Sequence, residues 1–267
     1  MFDTIVIGGG PAGLSAAITA RQRGTSVAVV SNDHKKSGLY KAPAIDNYPG
    51  LPRISGRELL RKLIDHASGA GAELITGRVN TVLDIGGVFN VGYDTDILGS
   101  KSIIIATGVA QTSLFPGEEE LLGKGVSYCA TCDGMLYRGK RVCVVCLAPE
   151  AEDEAEYLSS IGCEVIRLGA RNITINGDNR VESVTADNEN ISCDGVFILR
   201  RAVAPHLLIR GLEMKDGHIL AGESGGTNIP GVFAAGDCVG RPYQIARAVG
   251  QGLTAALSVS EYISSAG

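Results

Sequence analysis

The 267-residue chain lacks an excess of positive charge, long apolar runs and a signal-like start. Its 24 lysines and arginines against 29 aspartates and glutamates give a formal net charge of −5, which disfavours nucleic acid or an anionic membrane as a partner. No apolar stretch approaches the roughly 18 residues that a membrane-spanning helix requires. Because no secretory signal is recognisable at the first residues, we expect a cytoplasmic protein.

The composition is that of a folded protein of one large or two small domains. Hydrophobic residues make up 45% of the chain and charged residues 20%, which excludes global disorder. The seven cysteines are an odd number in a chain too long to need disulfide staples, so we expect reduced core cysteines and one reactive pair. The 36 glycines indicate tight turns or close approach to a ligand.

The N-terminal residues have the pattern of a strand, a helix and a second strand. Phe2 to Ile7 is a short apolar run, Leu14 to Arg23 has a helical pattern, and Ser26 to Val30 is rich in β-branched residues. These segments together predict one βαβ unit, with its strands buried in a parallel sheet.

A glycine motif joins the first strand to the helix. Gly8, Gly10 and Gly13 fit G-x-G-x-x-G, in which glycines permit the tight turn, the approach of a pyrophosphate and close helix packing. The phosphates of a dinucleotide then lie at the helix N-terminus. The second strand ends without the glutamate that usually contacts a ribose, so we expect Asn32 or Asp33 to replace it.

The rest of the chain indicates a second domain inserted in the first. Ser55 to His66 reads as a capped helix, and residues 72–98 as short antiparallel strands. Val142 to Cys146, Pro149 to Ser160 and Glu164 to Leu168 form a second, smaller βαβ pattern, followed by hairpins. We predict a discontinuous dinucleotide-binding domain of residues 1–113 and 208–267, and an inserted domain of residues 114–207.

Cys129 and Cys132 form a C-x-x-C motif that Asp133 follows directly. In a reduced protein such a pair is a redox disulfide or part of a metal site. A zinc site would need two more ligands, for which Cys143 and Cys146 are the candidates. These two lie in a predicted strand, where residues three apart face opposite sides, so we favour a redox pair and two core cysteines.

Five motifs together resemble one family, the low-molecular-weight thioredoxin reductases, over essentially the whole chain. The motifs occur in the family's order and are Gly8 to Gly13, Ile45 to Gly50, Ala106 to Gly108, Cys129 to Gly134 and Gly231 to Asp237. The resemblance implies an α/β fold, with an FAD-binding Rossmann-like domain of the three-layer ββα type and a smaller inserted α/β domain that carries the redox disulfide. It also implies a homodimer and a thioredoxin-like partner.

The resemblance assigns roles to individual residues. It implies that Cys132 lies nearer the flavin than Cys129 and that Asp133 handles protons during thiol–disulfide exchange. It places Asp237 at the ribityl or phosphate region of FAD, and Gln244 with its two successors at the isoalloxazine end. The expected FAD-binding residues are Gly8, Gly10, Pro11, Ala12, Gly13, Asn32, Asn47, Ala106, Thr107, Gly108, Gly236, Asp237, Gln244, Ile245 and Ala246.

The second βαβ unit departs from the family. Where ordinary members bind NADPH with a glycine-rich turn, this chain has Cys146 to Ala151 without a glycine. Glutamates and an aspartate follow between residues 150 and 154, where they would repel phosphate. The basic cluster for the 2′-phosphate is reduced to Arg167 and Arg171. The chain is therefore most similar to the ferredoxin-dependent flavin thioredoxin reductases, which use no pyridine nucleotide.

We therefore expect electrons to pass from reduced ferredoxin to FAD, to the Cys129–Cys132 disulfide and on to thioredoxin. One alternative is an NAD(P)H-dependent reductase with an unusual site built from Arg167 and Arg171. Another is a flavin-bearing redox sensor without turnover. Because ferredoxins are generally acidic, basic clusters are candidate docking surfaces. They are Lys35, Lys36 and Lys41; Arg53, Arg57, Arg61 and Lys62; and Arg138, Lys140 and Arg141.

Overall fold

A computed structural model describes residues 1–108, 114–147, 151–169, 171–200 and 204–266, without the side chains of Lys36, Cys132 and Ala266. The strands are β1 (Phe2–Ile7), β2 (Val27–Ser31), β3 (Glu73–Thr76), β4 (Val79–Ile85), β5 (Val88–Tyr93), β6 (Asp96–Ile105), β7 (Val126–Ser127), β8 (Arg141–Cys146), β9 (Glu164–Leu168), β10 (Thr174–Asn176), β11 (Ser183–Ala186), β12 (Glu189–Ser192), β13 (Gly195–Leu199), β14 (Met214–Lys215), β15 (His218–Ile219) and β16 (Val232–Ala234). The α-helices are α1 (Pro11–Gln22), α2 (Gly38–Lys41), α3 (Gly56–Gly69), α4 (Ala130–Asp133), α5 (Ala151–Ser160), α6 (Pro205–Leu208) and α7 (Ile245–Ala266). Short 3₁₀ helices cover His34–Lys36, Gly134–Tyr137 and Asp237–Val239.

The chain divides into two compact units. The first comprises Met1–Ala110 and Ala204–Gly267, and the second comprises Gln111–Val203. The second unit is thus an insertion in the first, and its bounds differ by three or four residues from the expected 114 and 207. None of the helices in the described ranges has the length and apolar content that crossing a membrane would require.

The first unit is built on a mostly parallel sheet. Its strand order is β3-β2-β1-β6-β5-β4, and β16 also pairs with β6. The end of β6 pairs in parallel with both β1 and β16, whereas its start pairs antiparallel with β5. Most side chains of β1, of β2 and of the C-terminal end of β6 are buried, which is why these segments are apolar.

Three helices pack on this sheet and share one hydrophobic core, which includes residues from α1, α3 and α7. Helix α1 begins with Pro11 at its first position, where the missing N–H has no helical partner to lose. Helix α3 begins where predicted, because Ser55 Oγ accepts a hydrogen bond of 3.2 Å from the backbone N–H of Glu58. A side chain at Gly252 of α7 would lie 2.1 Å from the carbonyl oxygen of Ala12, so glycine permits the close contact of α1 and α7.

The second unit has a four-stranded parallel sheet in the order β7-β13-β8-β9. Every residue of the inner strand β13 is buried, and α5 connects β8 to β9 as the second βαβ unit requires. Helices α4 and α5 share a core with this sheet, to which Ala130, Ala155 and Phe197 contribute. A separate antiparallel sheet has the order β10-β11-β12.

The structure corrects several predicted elements. Strand β3 is parallel to β2, because the crossover helix α3 returns the chain in the same direction; only β4, β5 and the start of β6 are antiparallel. The apolar pattern of Lys101 to Ala106 predicts a strand, but strand β6 already begins at Asp96 and ends at Ile105. The polar residues at positions 188–190 predict a turn, but the hairpin between β11 and β12 turns at Asp187 and Asn188, which both have positive φ as a type I′ turn requires, and strand β12 begins at Glu189.

Candidate active site

The glycine motif of the first unit forms a cradle between β1 and α1. A side chain at Gly8 would lie 2.3 Å from the carbonyl oxygen of Ala106, and one at Gly13 would lie 1.9 Å from that of Gly8. Gly10, in contrast, has no described atom within 4 Å of the position that a Cβ would take. Gly8 and Gly13 therefore permit the close packing of strand and helix, and Gly10 borders open space in which a pyrophosphate fits.

The start of α1 has the electrostatics that a phosphate requires. No side chain caps this helix at Gly10, and its first turn contains no acidic residue. Its first backbone N–H groups and the positive end of its dipole thus face no competing carboxylate from the helix itself. Pro11 and Ala12 complete the predicted phosphate-binding segment.

Thr107 supplies a second sign of a bound group. Its hydroxyl is buried and has no hydrogen-bond partner among the described residues. Buried polar groups are normally paired, so this hydroxyl is suited to a polar group of a ligand. Its neighbour Ala106 donates its N–H to the Ile7 carbonyl at 2.8 Å, which fixes the turn after β6 beside the turn after β1. Gly108 has a φ of 72°, a backbone conformation that favours glycine.

The C-terminal motif lies against the glycine motif. A side chain at Gly236 would lie 2.8 Å from the Cβ of Ala12, so residues far apart in the chain meet here. Asp237 follows Gly236, and burial raises the pKa of its carboxyl while the nearby Arg247 guanidinium opposes the rise. Arg247, which the sequence analysis did not single out, donates to the carbonyl oxygens of Gly240 and Pro242 and so also supports this loop.

The structure also joins Asn47, an expected FAD-binding residue, to Gln244, which was expected at the isoalloxazine end. Asn47 Nδ2 donates a hydrogen bond of 2.8 Å to Gln244 Oε1, across 197 residues of sequence. Gln244 directly precedes α7, which begins with Ile245 and Ala246. Among the predicted FAD-binding segments, contacts thus join Gly8 to Ala106, Gly236 to Ala12 and Asn47 to Gln244. The cradle at Gly10 and the Thr107 hydroxyl, which has no partner among the described residues, fit a dinucleotide.

The residues expected at the ribose of the dinucleotide lie in the loop after β2. Asn32 is exposed after β2, and Asp33 accepts a hydrogen bond from the N–H of Lys35 at the start of the short helix there. His34 is half-buried and packs on Gly9, where an added Cβ would lie 2.5 Å from its ring. Burial lowers the pKa of His34. Sequence reasoning missed this histidine because only the packing of the loop brings it to the glycine motif.

In the second unit, the C-x-x-C motif lies at the end of β7 and in α4. Cys129 is buried and disulfide-bonded. Cys132 belongs to α4, but its side chain lies outside the described residues. The Sγ atom of Cys129 is 3.4 Å from Thr131 Oγ1. A small disulfide loop at a helix is an arrangement in which thiol–disulfide exchange can occur.

Ser127 connects the disulfide loop to the predicted proton-handling acid. Its hydroxyl is 2.7 Å from Asp133 Oδ2 and donates to that carboxylate. Ser127 Oγ also accepts a hydrogen bond of 3.2 Å from the N–H of Cys129, and it lies 3.2 Å from the Cys129 carbonyl oxygen. Asp133 is therefore held by a buried hydroxyl that also contacts the backbone of Cys129, a contact that no motif in the sequence predicts.

A buried polar network lies beside Cys129. Glu118 is fully buried, and both of its carboxylate oxygens accept hydrogen bonds from the Arg200 guanidinium. Glu118 also accepts the hydroxyl of Tyr128 at 2.9 Å and the N–H of Phe115 at 2.9 Å. Burial and the nearby carboxylate raise the pKa of Tyr128, which keeps its hydroxyl protonated as a donor. The network fixes the residue that precedes Cys129.

The other central cysteines are not arranged as zinc ligands. Cys143 and Cys146 are free thiols in β8; Cys143 is fully buried, whereas Cys146 is partly exposed at the strand's end. In the described part of the chain, no group of three or more His, Cys, Asp or Glu side chains could hold a metal ion.

The second βαβ unit has the opposite electrostatics to the first. The first turn of α5 carries Glu152, Asp153 and Glu154. Glu152 forms an ion pair of 2.7 Å with Arg167, one of the two arginines expected from the resemblance to remain of a basic cluster. The predicted turn residues Ala148, Pro149 and Glu150 lie outside the described residues.

The candidate ferredoxin-docking clusters are partly neutralised by acidic neighbours. Arg61 pairs with Asp65 at 3.1 Å, and Lys62 lies 3.9 Å from Glu58. Arg141 in the third cluster pairs with Glu164 at 2.7 Å. The first cluster includes the exposed Lys35 and Lys41, whereas the side chain of Lys36 lies outside the described residues.

Comparison with known proteins agrees with this geometry. The family model described as pyridine nucleotide-disulphide oxidoreductase matches residues 2–174 and 166–252. A thioredoxin reductase of Bacillus subtilis is 30% identical, with 98% of this chain and 95% of the relative covered. A thioredoxin reductase of Aquifex aeolicus is 32% identical, with 99% and 94% covered.

Solved structures give the same result. A ferredoxin-flavin thioredoxin reductase from Clostridium acetobutylicum has a TM-score of 0.85 at 39% identity, covering 99% of this chain and 98% of that one. A thioredoxin reductase from Gloeobacter violaceus has a TM-score of 0.76 at 29% identity, covering 99% and 94%. The chain thus belongs to the pyridine nucleotide-disulphide oxidoreductase family, within which it is one of the FAD-binding thioredoxin reductases.

Proposed function

We propose that this thioredoxin reductase takes its electrons from reduced ferredoxin rather than from NADPH. Two electrons and two protons convert the Cys129–Cys132 disulfide into two thiols. The dithiol then reduces the disulfide of thioredoxin and is itself oxidised again, so the exchange transfers one electron pair. When bound, FAD supplies the ability to collect single electrons and to deliver them as a pair.

The start of α5 carries this proposal. Pyrophosphate binding at a helix N-terminus needs free N–H donors and no negative charge, as at α1. Helix α5 instead places three carboxylates in its first turn. Each of these carboxylates is itself stabilised at the helix N-terminus, by about 0.3–1 kcal/mol, so together they already satisfy the dipole and would repel a phosphate. The Arg167 guanidinium faces one of these acids, Glu152, at 2.7 Å.

The ion pair alone would not exclude a nucleotide. Its two side chains are 42% and 55% exposed, and a pair this exposed contributes at most about 1 kcal/mol, so a phosphate could displace Glu152. After displacement, however, the first turn of α5 would still carry its three acidic residues, against Arg167 and Arg171 of the expected basic cluster. The balance of charge therefore disfavours NADPH. The similarity to the Clostridium acetobutylicum ferredoxin-flavin enzyme supports the same conclusion.

The chain's own residues support thiol chemistry at Cys129. Ser127 donates to the Asp133 carboxylate at 2.7 Å and holds it beside the disulfide loop, where it can pass a proton to or from a sulfur atom. The same hydroxyl accepts the N–H of Cys129, so the acid and the cysteine backbone keep a fixed relation. This arrangement supports turnover rather than a passive redox sensor.

The test is anaerobic reduction of the purified flavoprotein. Equal samples are mixed with reduced ferredoxin, NADPH or NADH, and the flavin absorbance near 450 nm is followed on the order of seconds to minutes. We expect ferredoxin to bleach the flavin and both nucleotides to leave it oxidised. Rapid bleaching by NADPH would contradict the proposal and favour a nucleotide site that includes Arg167.

Turnover distinguishes the reductase from the sensor. With reduced ferredoxin in excess, oxidised thioredoxin is added and its new thiols are counted after acid quench and alkylation. We expect many thioredoxin molecules to be reduced for each enzyme molecule. Reduction of a single equivalent would contradict a catalytic role. Variant Cys146→Ser serves as a control, because Cys146 is a free thiol outside the C-x-x-C motif.

A further inference from the structure

Glu154 lies in the first turn of α5, yet its carboxylate is bonded to the redox loop. Glu154 Oε2 accepts a hydrogen bond of 3.0 Å from the backbone N–H of Ala130. This N–H belongs to the peptide group that joins Cys129 to Ala130. Glu154 lies in the helix turn where a nucleotide would be expected in NADPH-dependent relatives. It contacts Ala130, the residue next to Cys129.

The packing of α4 on α5 explains the contact. Ala130 is fully buried, as are Ala151 and Ala155 on the facing side of α5, and these small side chains let the two helices approach closely. A side chain at Gly134, just after α4, would lie 2.9 Å from Leu158 of α5. Glu154 is the neighbour of Ala155 in this contact, and its side chain reaches the backbone N–H of Ala130 at the start of α4.

We propose that Glu154 is a positioning residue that makes the Cys129 dithiol a stronger reductant. The inference rests on the proposed redox role of this disulfide. Reduction breaks one S–S bond, consumes two electrons and two protons, and leaves two thiols, from which a proton can pass to solvent to form a thiolate. A thiolate at Cys129 is stabilised by neighbouring N–H donors and destabilised by negative charge.

Glu154 acts on both counts. Its carboxylate accepts the Ala130 N–H at 3.0 Å, so that donor is not free to stabilise a thiolate, and it places a negative charge at the peptide group that joins Cys129 to Ala130. Both effects disfavour the reduced, ionised state relative to the disulfide. A couple whose reduced form is less stable has a lower reduction potential, and its dithiol therefore reduces a partner more strongly.

The test is the redox equilibrium of the holoenzyme with the dithiothreitol couple. Samples at pH 8 are equilibrated with known ratios of reduced to oxidised dithiothreitol, quenched in acid and alkylated. Mass spectrometry of the peptide that contains Cys129 and Cys132 then gives the reduced fraction. This readout needs neither ferredoxin nor thioredoxin, so it is independent of the electron donor. A disulfide that did not exchange at all would instead contradict the proposed function.

Three variants separate charge from structure. Glu154→Gln keeps an acceptor for the Ala130 N–H but removes the charge, and we expect its equilibrium to move about three- to tenfold toward the dithiol. For a two-electron couple, tenfold corresponds to about 30 mV. Glu154→Asp keeps the charge nearby on a shorter side chain and should lie between Gln and the native protein. Glu156→Gln removes one charge from the exposed side of the same helix and should leave the equilibrium within about twofold.

Two results would overturn the proposal. An equilibrium constant for Glu154→Gln within twofold of the native value would show that the carboxylate only caps the redox loop. An equal shift in Glu156→Gln would show that the effect comes from net charge and not from the contact with Ala130. Far-ultraviolet circular dichroism and the flavin spectrum of each variant establish that it is folded and loaded.

Discussion

Breaking the buried ion pair between Arg200 and Glu118 should destabilise the inserted unit severely. Glu118 is fully buried and Arg200 is 8% exposed, so water cannot replace the guanidinium when Arg200→Met removes it. The carboxylate would keep the Tyr128 hydroxyl and the Phe115 N–H, but its charge would be uncompensated. Removal of one partner from a buried pair costs about 3–5 kcal/mol, and we expect a loss in that range.

Hydrogen exchange measures this loss in the inserted unit separately. The amides of β8 and β13 are protected by sheet hydrogen bonds, and we expect their protection to fall between about 10²- and 10⁴-fold in Arg200→Met. The control is Arg141→Met, which breaks a pair of the same type with Glu164 at 2.7 Å. Because Arg141 and Glu164 are 46% and 61% exposed, solvent screens their attraction, and this variant should differ little from the native protein.

A double variant tests the physical cause. Glu118→Gln removes the buried charge but leaves an acceptor for Tyr128 and Phe115, so Arg200→Met with Glu118→Gln should be more stable than Arg200→Met alone. The reasoning would be refuted if Arg200→Met cost less than about 1 kcal/mol. It would also be refuted if the double variant lost as much free energy of unfolding as Arg200→Met and Glu118→Gln lose together, because neutralising Glu118 would then not restore stability to Arg200→Met.

Three further predictions concern the disulfide, the cradle and an acid in β1. Cys129→Ser should abolish thioredoxin reduction while the yellow FAD spectrum is retained, because the cysteine belongs to the second unit and the cradle to the first; activity above a few percent would contradict its role. Gly10→Ala should fold normally but bind FAD at least about tenfold more weakly, which a fluorescence titration measures. Gly13→Ala should destabilise the fold itself, which urea unfolding measures. Asp3→Asn should cost about 1–2 kcal/mol at pH 7, because hydrogen bonds from Lys101 and from Ser26 lower the pKa of Asp3 to about 2. A lowered carboxyl pKa contributes stability above its unfolded value, near 4, so the difference between native protein and variant should vanish as the pH falls from about 4 to 2.

The sequence predicted those parts of the fold and site that depend on short segments. The βαβ unit from Phe2 to Ser31 could be predicted because glycine spacing and apolar runs are local, although the helix begins at Pro11 rather than at the predicted Leu14. The capped start of α3 is equally local, since Ser55 and Glu58 are three residues apart. The strand direction of β3 could not be deduced in this way, because it depends on how α3 returns the chain to the sheet.

The contacts that shape the redox loop were beyond sequence reasoning for a different reason. Arg200 meets Glu118 across 82 residues, and Glu154 meets Ala130 across 24. Neither pair has a spacing that periodicity or a motif would reveal. The acids at α5 were noticed as an obstacle to phosphate, and only the packing of α4 on α5 shows where one of them binds instead. The convergence of Asn47 and Gln244 was expected only through the family resemblance.

The two βαβ units of this chain serve as controls for each other. Both have a parallel strand that enters a helix, so fold alone does not decide whether a dinucleotide binds. At α1 the turn has glycines, no acid in the first turn and open space at Gly10. At α5 the first turn has three acids, of which Glu152 holds Arg167 and Glu154 holds the N–H of Ala130. The first turn of α5 thus makes internal contacts where α1 leaves space for a ligand, and the Glu154 contact lies on the redox loop. In our two proposals, the absence of a nucleotide at α5 and the tuning of Cys129 both follow from the acids of this turn, which is why Glu154 is the residue to test.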